Sequence, residues 1–293
     1  MHLRINLHNN ITVKINYLAL YFDVSSEISR VVTQKYSTSF YWASQFFDQE
    51  TKKAIFNIYG FVRFADEIVD SFHDFNKEQL LNDFIKEYRT SKQSGISLNP
   101  IIYSFVSTCQ KYKIEDFLVD PFLDSMRFDL TKKEYCSDEE INLYIYGSAE
   151  VIGLMCLKVF CKGDQNEYER LKPQALKLGA AFQKVNFLRD LKNDVLELKR
   201  FYFPVLVTDG FNEKTKKVII ADIEQDFQEA NRGIKQLPKG SKLAVSIAFQ
   251  YYHELLKKIK TVKAEDVMQQ RIRIPNHKKI RLILKAYILN IFT

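Results

Sequence analysis

The 293-residue chain is 46% hydrophobic and 27% charged, which suits a globular soluble protein with a sizeable core, in one large domain or two small ones. Nine Gly and six Pro are too few to break it often, so long helices are expected, while 23 Phe and 16 Tyr point to bulky packing or to a long apolar cavity lined by rings. The net charge of +7 favours anionic partners, but the basic residues are spread along the chain and form no block interleaved with aromatics, which argues against nucleic acid.

Residues 1–25 read as an N-terminal extension, a strand or a loose arm, and residues 26–293 as a single all-α domain. The apolar runs Tyr17–Phe22 and Gly153–Cys161 are too short or too interrupted for a membrane span. Cys109, Cys136, Cys156 and Cys161 show no C-x-x-C spacing and follow no secretory signal, so reduced thiols in a cytoplasmic protein are the expectation.

From Glu27 the period is helical. Asp48-Gln49-Glu50 opens a helix with acidic residues in its first turn, and Ile55, Ile58, Val62, Ala65 and Val69 form its apolar stripe. Further helices are expected over 77–90 and 101–112, and Asp120-Pro121 marks another start. Ser137 and Glu140 fit a capping box for a helix running to about Cys161, stopped by Gly163. Pro173 begins the next, which runs to about Leu198. Helices over 215–236 and 242–261 follow. The tail, 277–292, is basic and apolar by turns and reads as a last core helix or as a peripheral contact with a membrane surface.

Two of these helices carry acidic pairs. Asp66 and Asp70 stand four residues apart, as do Asp190 and Asp194, so each pair shares one helical face. Tyr59 and Arg63 extend the first stripe. Gln183 and Asn186 extend the second, inside a stretch otherwise as apolar as Ala180, Ala181, Phe182, Val185, Phe187 and Leu188. A solvated polar face is the plain alternative. Two such faces opposed would suit hard divalent cations, magnesium above all, which is held by carboxylates together with substrate phosphates. Zinc is disfavoured because the five His are scattered, and no P-loop, G-x-G-x-x-G or G-x-S-x-G pattern is present.

The stretch Tyr36-Ser37-Thr38-Ser39-Phe40-Tyr41, followed by Tyr59 through Asp70, resembles the first signature of the squalene/phytoene synthases. Gln183 through Asp194, ending in Arg200-Phe201-Tyr202-Phe203-Pro204, resembles the second. The resemblance implies an all-α isoprenoid synthase bundle around a central apolar cavity. It also implies a Mg2+-dependent prenyltransferase, with Mn2+ as a substitute, that joins two allylic prenyl diphosphates head to head through a cyclopropyl intermediate. By position, Asp66 and Asp70 are similar to the family's first metal site, and Asn186, Asp190 and Asp194 to its second. Arg63, Arg189, Ser37 and Gln183 resemble diphosphate ligands. Tyr144 resembles the tyrosine near the departing diphosphate, and Tyr59 and Tyr252 other substrate-contacting tyrosines.

Tyr36 and Thr38 depart from the His and Lys common around the first Ser, so one cationic ligand is missing or is replaced by Lys35. Asn193 stands where the second signature usually has Glu. Ala149-Glu150-Val151-Ile152-Gly153 replaces A-G-T-V-G. Geranylgeranyl diphosphate is the expected substrate and phytoene the product, with no need of NADPH. The alternatives are a farnesyl diphosphate-using squalene or dehydrosqualene synthase, a non-catalytic relative that binds lipid or assists assembly, and a terpene cyclase.

Overall fold

The computed structural model describes residues 16–197 and 199–291. Among the described residues fourteen α-helices follow one another: α1 Tyr17–Tyr36, α2 Thr38–Ser44, α3 Gln49–Ser71, α4 Lys77–Ser94, α5 Pro100–Tyr112, α6 Asp116–Thr131, α7 Asp138–Ile145, α8 Val151–Phe160, α9 Gln165–Lys192, α10 Pro204–Asp209, α11 Glu213–Ile234, α12 Lys239–Thr261, α13 Ala264–Val267 and α14 Asn276–Ile291. Among the described residues there is no strand, only an isolated bridge between Glu134 and Phe201. The all-α expectation holds.

The helical region starts earlier than the sequence period suggests. Asn16 caps α1 by accepting from the Ala19 amide, so residues 17–25 are helix rather than a loose arm; residues 1–15 lie outside the described residues. The reason is an inverted pattern. α1 buries Ser25, Ser26, Ser29 and Thr33 and exposes Leu18, Leu20, Val24 and Val31. Three of these hydroxyls are bonded: Ser29 shares a 3.0 Å hydrogen bond with Ser104, the Asn57 amide donates to Ser26 at 3.2 Å, and Thr33 donates to the Ser29 carbonyl at 2.9 Å, while the Ser25 Oγ is buried without a partner. Small residues let α1 close on α3, where a Cβ on Gly60 would lie 2.9 Å from the Ser29 Oγ.

Two prolines expected at helix starts lie inside helices. α6 begins at Asp116 and contains Pro121; the carbonyl left without a ring N–H to bond belongs to Phe117, an exposed residue. α9 begins at Gln165, where Asp164 accepts from the Asn166 and Glu167 amides, and runs on through Pro173. One lost hydrogen bond in a 28-residue helix packed against α8 and α11 is outweighed by its burial.

Asp138–Phe160 is continuous. A turn of π-helix at Tyr146–Glu150 joins α7 to α8. That segment is long and apolar enough to cross a membrane, although its apolar run looks too short and interrupted in the sequence; more than half of it is buried within the bundle, with Val151, Leu154 and Met155 fully enclosed. The π-turn is pinched from both sides. A Cβ on Gly147 would stand 2.4 Å from the Pro121 carbonyl oxygen, and one on Gly179 of α9 would stand 2.9 Å from the Ala149 carbonyl oxygen. At the centre, Phe61 of α3 stacks on Phe105 of α5 at 3.9 Å. α9 is tied to α11 by a buried carboxylate, Asp226, that accepts from Lys177 at 2.8 Å and Lys184 at 2.7 Å.

Candidate active site

α3, α9 and the segments around them enclose a cavity of about 1210 Å³. Gly60 and Phe61 turn towards α1 and α5, so the neighbouring stripe of Tyr59, Arg63, Asp66 and Asp70 lines the cavity. From α9 come Phe182, Gln183, Asn186, Arg189, Asp190 and, just beyond it, Asp194. Along both helices the lining changes from apolar to acidic in the N-to-C direction: Ile55 before Asp66 and Asp70, and Leu171, Ala175, Leu178 and Phe182 before Asp190 and Asp194. The apolar stretch Leu171–Phe182 rises about 16 Å along the axis.

The two acidic faces meet. Arg200 lies 3.4 Å from Asp70, and its other Nη donates to the Asp129 backbone carbonyl at 2.7 Å. Asp194 has its carboxyl pushed up to about 7 by burial first, then by the charge of Asp190, with Asp70 adding to the rise and Arg200 opposing it. Burial and then the Asp70 charge likewise raise Asp66 to about 6. Each face also has its own arginine. Arg63 donates to Asp66 at 2.5 Å and to Glu67, and Arg189 donates to Asp190 at 2.5 Å. Arg271, from the irregular segment after α13, adds a 2.6 Å ion pair to Asp190.

Ser37, Tyr59, Arg63, Asp66, Asp70, Tyr144, Gln183, Asn186, Arg189, Asp190, Asp194 and Tyr252 all line this one cavity, whereas Lys35, the suggested replacement cation, is exposed and does not. Ser37 sits at the junction of α1 and α2 and makes no capping hydrogen bond through its side chain. Tyr59 stacks on Phe40 at 5.0 Å, and burial pushes its hydroxyl up to about 12. Tyr252 stacks on Phe182 at 4.0 Å. The Gln183 amide donates to Ser148 on the π-turn at 3.3 Å. At the place of the absent His and Lys, the Tyr36 ring lies over the Arg63 guanidinium at 4.5 Å.

Sequence reasoning missed a buried group behind Tyr144. The Tyr144 hydroxyl donates to the Asp129 carboxylate at 2.8 Å, and its ring lies 5.4 Å from that of Tyr202. Burial raises Asp129 to about 7 against the pull of Arg200, and it raises Tyr144 well above the usual phenol range. Asp129, Arg200, Tyr202, Arg271 and Lys279 all line the cavity and were given no role from sequence. A lone acid between Phe128 and Leu130 was the available signal for Asp129.

The donors at the acidic end are hard oxygens, the kind a divalent cation takes. The Asn186 Oδ1 is buried without a hydrogen-bond partner, and the paired carboxyls repel one another. Among the described residues no three His, Cys, Asp or Glu stand close enough to enclose an ion as they are, because the guanidinium groups lie against the carboxylates instead. The residue types and the unpartnered Asn186 oxygen fit a cation that displaces those arginines.

The sequence pattern of the squalene/phytoene synthase family matches residues 33–278. The chain belongs to that family. Within it, the chain is 28% identical over 284 residues to a phytoene synthase of Arthrospira platensis, covering 87% of this chain and 90% of that one. It is 26% identical over 288 residues to a 15-cis-phytoene synthase of Synechocystis sp., covering 89% and 84%. Solved structures share the fold. A dehydrosqualene synthase in complex with ligand matches with a TM-score of 0.79 at 16% identity, over 94% of this chain and 99% of that one. The squalene synthase HpnC of Alicyclobacillus acidocaldarius matches at 0.72 and 19% identity, over 82% and 95%.

Proposed function

We propose that the protein is a prenyltransferase that joins two geranylgeranyl diphosphates head to head, 1′ to 1, giving phytoene by way of a cyclopropyl diphosphate and releasing diphosphate. The observation that carries this reading is the meeting of the Asp66/Asp70 and Asp190/Asp194 faces at one end of a long apolar cavity, in a chain of this family. The phytoene synthases that match over most of this chain favour a C20 substrate over the C15 of squalene and dehydrosqualene synthesis.

Breaking an allylic C–O bond leaves diphosphate with the electron pair and a carbocation on the chain. Asp66, Asp70, Asn186, Asp190 and Asp194 are the residues that would hold magnesium, or manganese in its place, and the bound metal would offset the charge growing on the leaving group. Arg63 and Arg189 supply forked N–H donors for phosphate oxygens. The rings of Tyr59, Phe182 and Tyr252 border the cavity, and an aromatic face steadies a nearby cation by about 0.5–2 kcal/mol. The apolar walls bind the chains at about 0.8 kcal/mol per buried methylene and exclude water from the cation.

Incubation with C15 and C20 diphosphates and magnesium, with and without NADPH, tests the reading. Phytoene from the C20 substrate without NADPH is expected. Squalene or dehydrosqualene from the C15 substrate as the main product overturns the substrate assignment, and no hydrocarbon from either favours a non-catalytic relative.

A cytoplasmic location beside a membrane surface completes the proposal. The four cysteines are free thiols. Ile280, Leu284, Tyr287 and Ile288 of α14 are exposed beside Lys278 and Arg281, and Lys279 lines the cavity. Flotation with anionic vesicles checks this, and recovery in the vesicle-free fraction overturns it.

A further inference from the structure

The faces of α11 and α12 turned away from the active cavity enclose, with α14, a second cavity of about 660 Å³. That volume lies in the range of small-molecule sites, about 300–1,000 Å³. Phe227, Ile234 and Phe249, all buried, supply apolar walls. Lys242 of α12, Lys285 of α14 and Lys235, the residue that ends α11, add three lysines to the lining.

The charge at this cavity is unbalanced. Among the described residues none of the three lysines has a carboxylate within ion-pair reach, although lysines on neighbouring faces do. Lys177 and Lys184 both pair with Asp226, and Lys260 with Glu224. Among the described residues Glu224 is the one acidic residue in the lining, and its pairing at 2.6 Å with Lys260 turns it to another cation. Lys242 is half-buried, where an ammonium group without a counter-ion is costly. His253 is set between Phe227 and Phe249, its ring 5.7 Å from each. Burial, then Lys257 and Lys285, hold it below the usual imidazole range, as a locally positive field would. Three lysines and two phenyl rings in one lining complement an anion that carries an apolar chain.

We propose that this second cavity binds a phosphate-headed amphiphile, its phosphate on Lys235, Lys242 and Lys285 and its chain against Phe227 and Phe249. The ligand class is a phosphate ester with a prenyl or acyl chain, from a soluble prenyl phosphate or from an anionic phospholipid. Ile234 lines both cavities, so the bound chain would abut a side chain that also walls the active cavity. The site does not depend on the reaction proposed for that cavity.

Photolabelling the full-length protein with a phosphate monoester that carries a diazirine on its alkyl chain tests the proposal. Label is expected on the α14 segment around Lys285 to Leu289, which does not line the active cavity. The double variant Lys242→Glu, Lys285→Glu should weaken the labelling affinity by about tenfold or more, with hydrocarbon synthesis from prenyl diphosphate unchanged. Lys242→Met with Lys285→Met, which removes charge without adding any, should give the same direction if the glutamates disturb folding. Competition by monomeric farnesyl phosphate, or instead by phosphatidylglycerol vesicles and not phosphatidylcholine vesicles, supports the site and names its source. Label confined to α3 and α9, displacement by inorganic phosphate at the same concentration as by the amphiphile, or equal competition by the uncharged alcohol overturns it.

Discussion

Arg200 lies 3.4 Å from Asp70, 130 residues earlier in the chain, and thereby joins the segment after α9 to the acidic face of α3. The same guanidinium holds the Asp129 backbone carbonyl and opposes the raised carboxyls of Asp129 and Asp194. Three negative groups from three parts of the chain therefore share one fixed cation.

Arg200→Gln removes that cation. Turnover should fall by about a hundredfold or more, with helical content preserved by circular dichroism. Arg200→Lys should recover only part of the loss, because an ammonium lacks the planar fork. Wild-type turnover in Arg200→Gln would show that the site works without this shared cation.

Asp66→Asn separates function from stability. Burial and Asp70 raise the Asp66 carboxyl from 3.8 to about 6, so at neutral pH, where it is ionised, its charge costs the folded state stability relative to the unfolded chain. The neutral amide should leave the metal-free protein as stable as wild type or more so, measured by thermal melting, while turnover is lost by about a thousandfold. Asp190→Ala should also abolish turnover. Normal activity from either variant contradicts the proposed metal role.

Metal removal should show the same conflict of charges through pH. Asp66, Asp129 and Asp194 all have folded-state values raised above 3.8, to between about 6 and about 7. Their contribution to stability is fully present below the unfolded value and is lost as the pH rises through the folded ones. In excess chelator the melting temperature should therefore fall between about pH 4 and pH 7 from these groups, and turnover should vanish. Added magnesium should restore both, more effectively at the higher pH because deprotonated carboxylates bind it. Undiminished turnover in chelator would exclude the metal.

Gly147→Ala tests the pinched π-turn. The new methyl would meet a backbone oxygen of α6 at 2.4 Å, which cannot swing aside as a side chain does. Overpacking of this kind costs about 1–3 kcal/mol in a urea unfolding experiment. Gly95→Ala, where nothing lies within 4 Å but φ is +77°, isolates backbone strain without a clash.

Asp226→Ala leaves Lys184 half-buried with only the more exposed Asp222 as partner. Loss of about 3–5 kcal/mol is expected, against less than about 1 kcal/mol for Glu229→Ala, whose partner Arg232 is exposed. Equal effects in chemical denaturation would refute the distinction.

The acidic faces were legible because two carboxylates four residues apart inside an apolar helix are costly to bury unless a cation joins them. Asp129 and Arg200 were harder, since each acts through a partner distant in the chain, and Arg271 and Lys279 lie where no period marks a face. The first half of α1 escaped notice because the helix turns small hydroxyl residues inwards, Ser29 bonding to α5 and Ser26 to α3, so the usual apolar stripe points outwards. Pro121 and Pro173 misled for the opposite reason. Each is a strong local breaker, and tertiary packing carries the helix through it.

Arg63, Arg189 and Arg271 each lie against an aspartate, so much of their donor capacity is already engaged. On the proposed function, they would turn to phosphate oxygens once the aspartates accepted another positive partner. Cation and diphosphate would then help each other arrive, and either one offered alone would meet a self-neutralised surface that resists it.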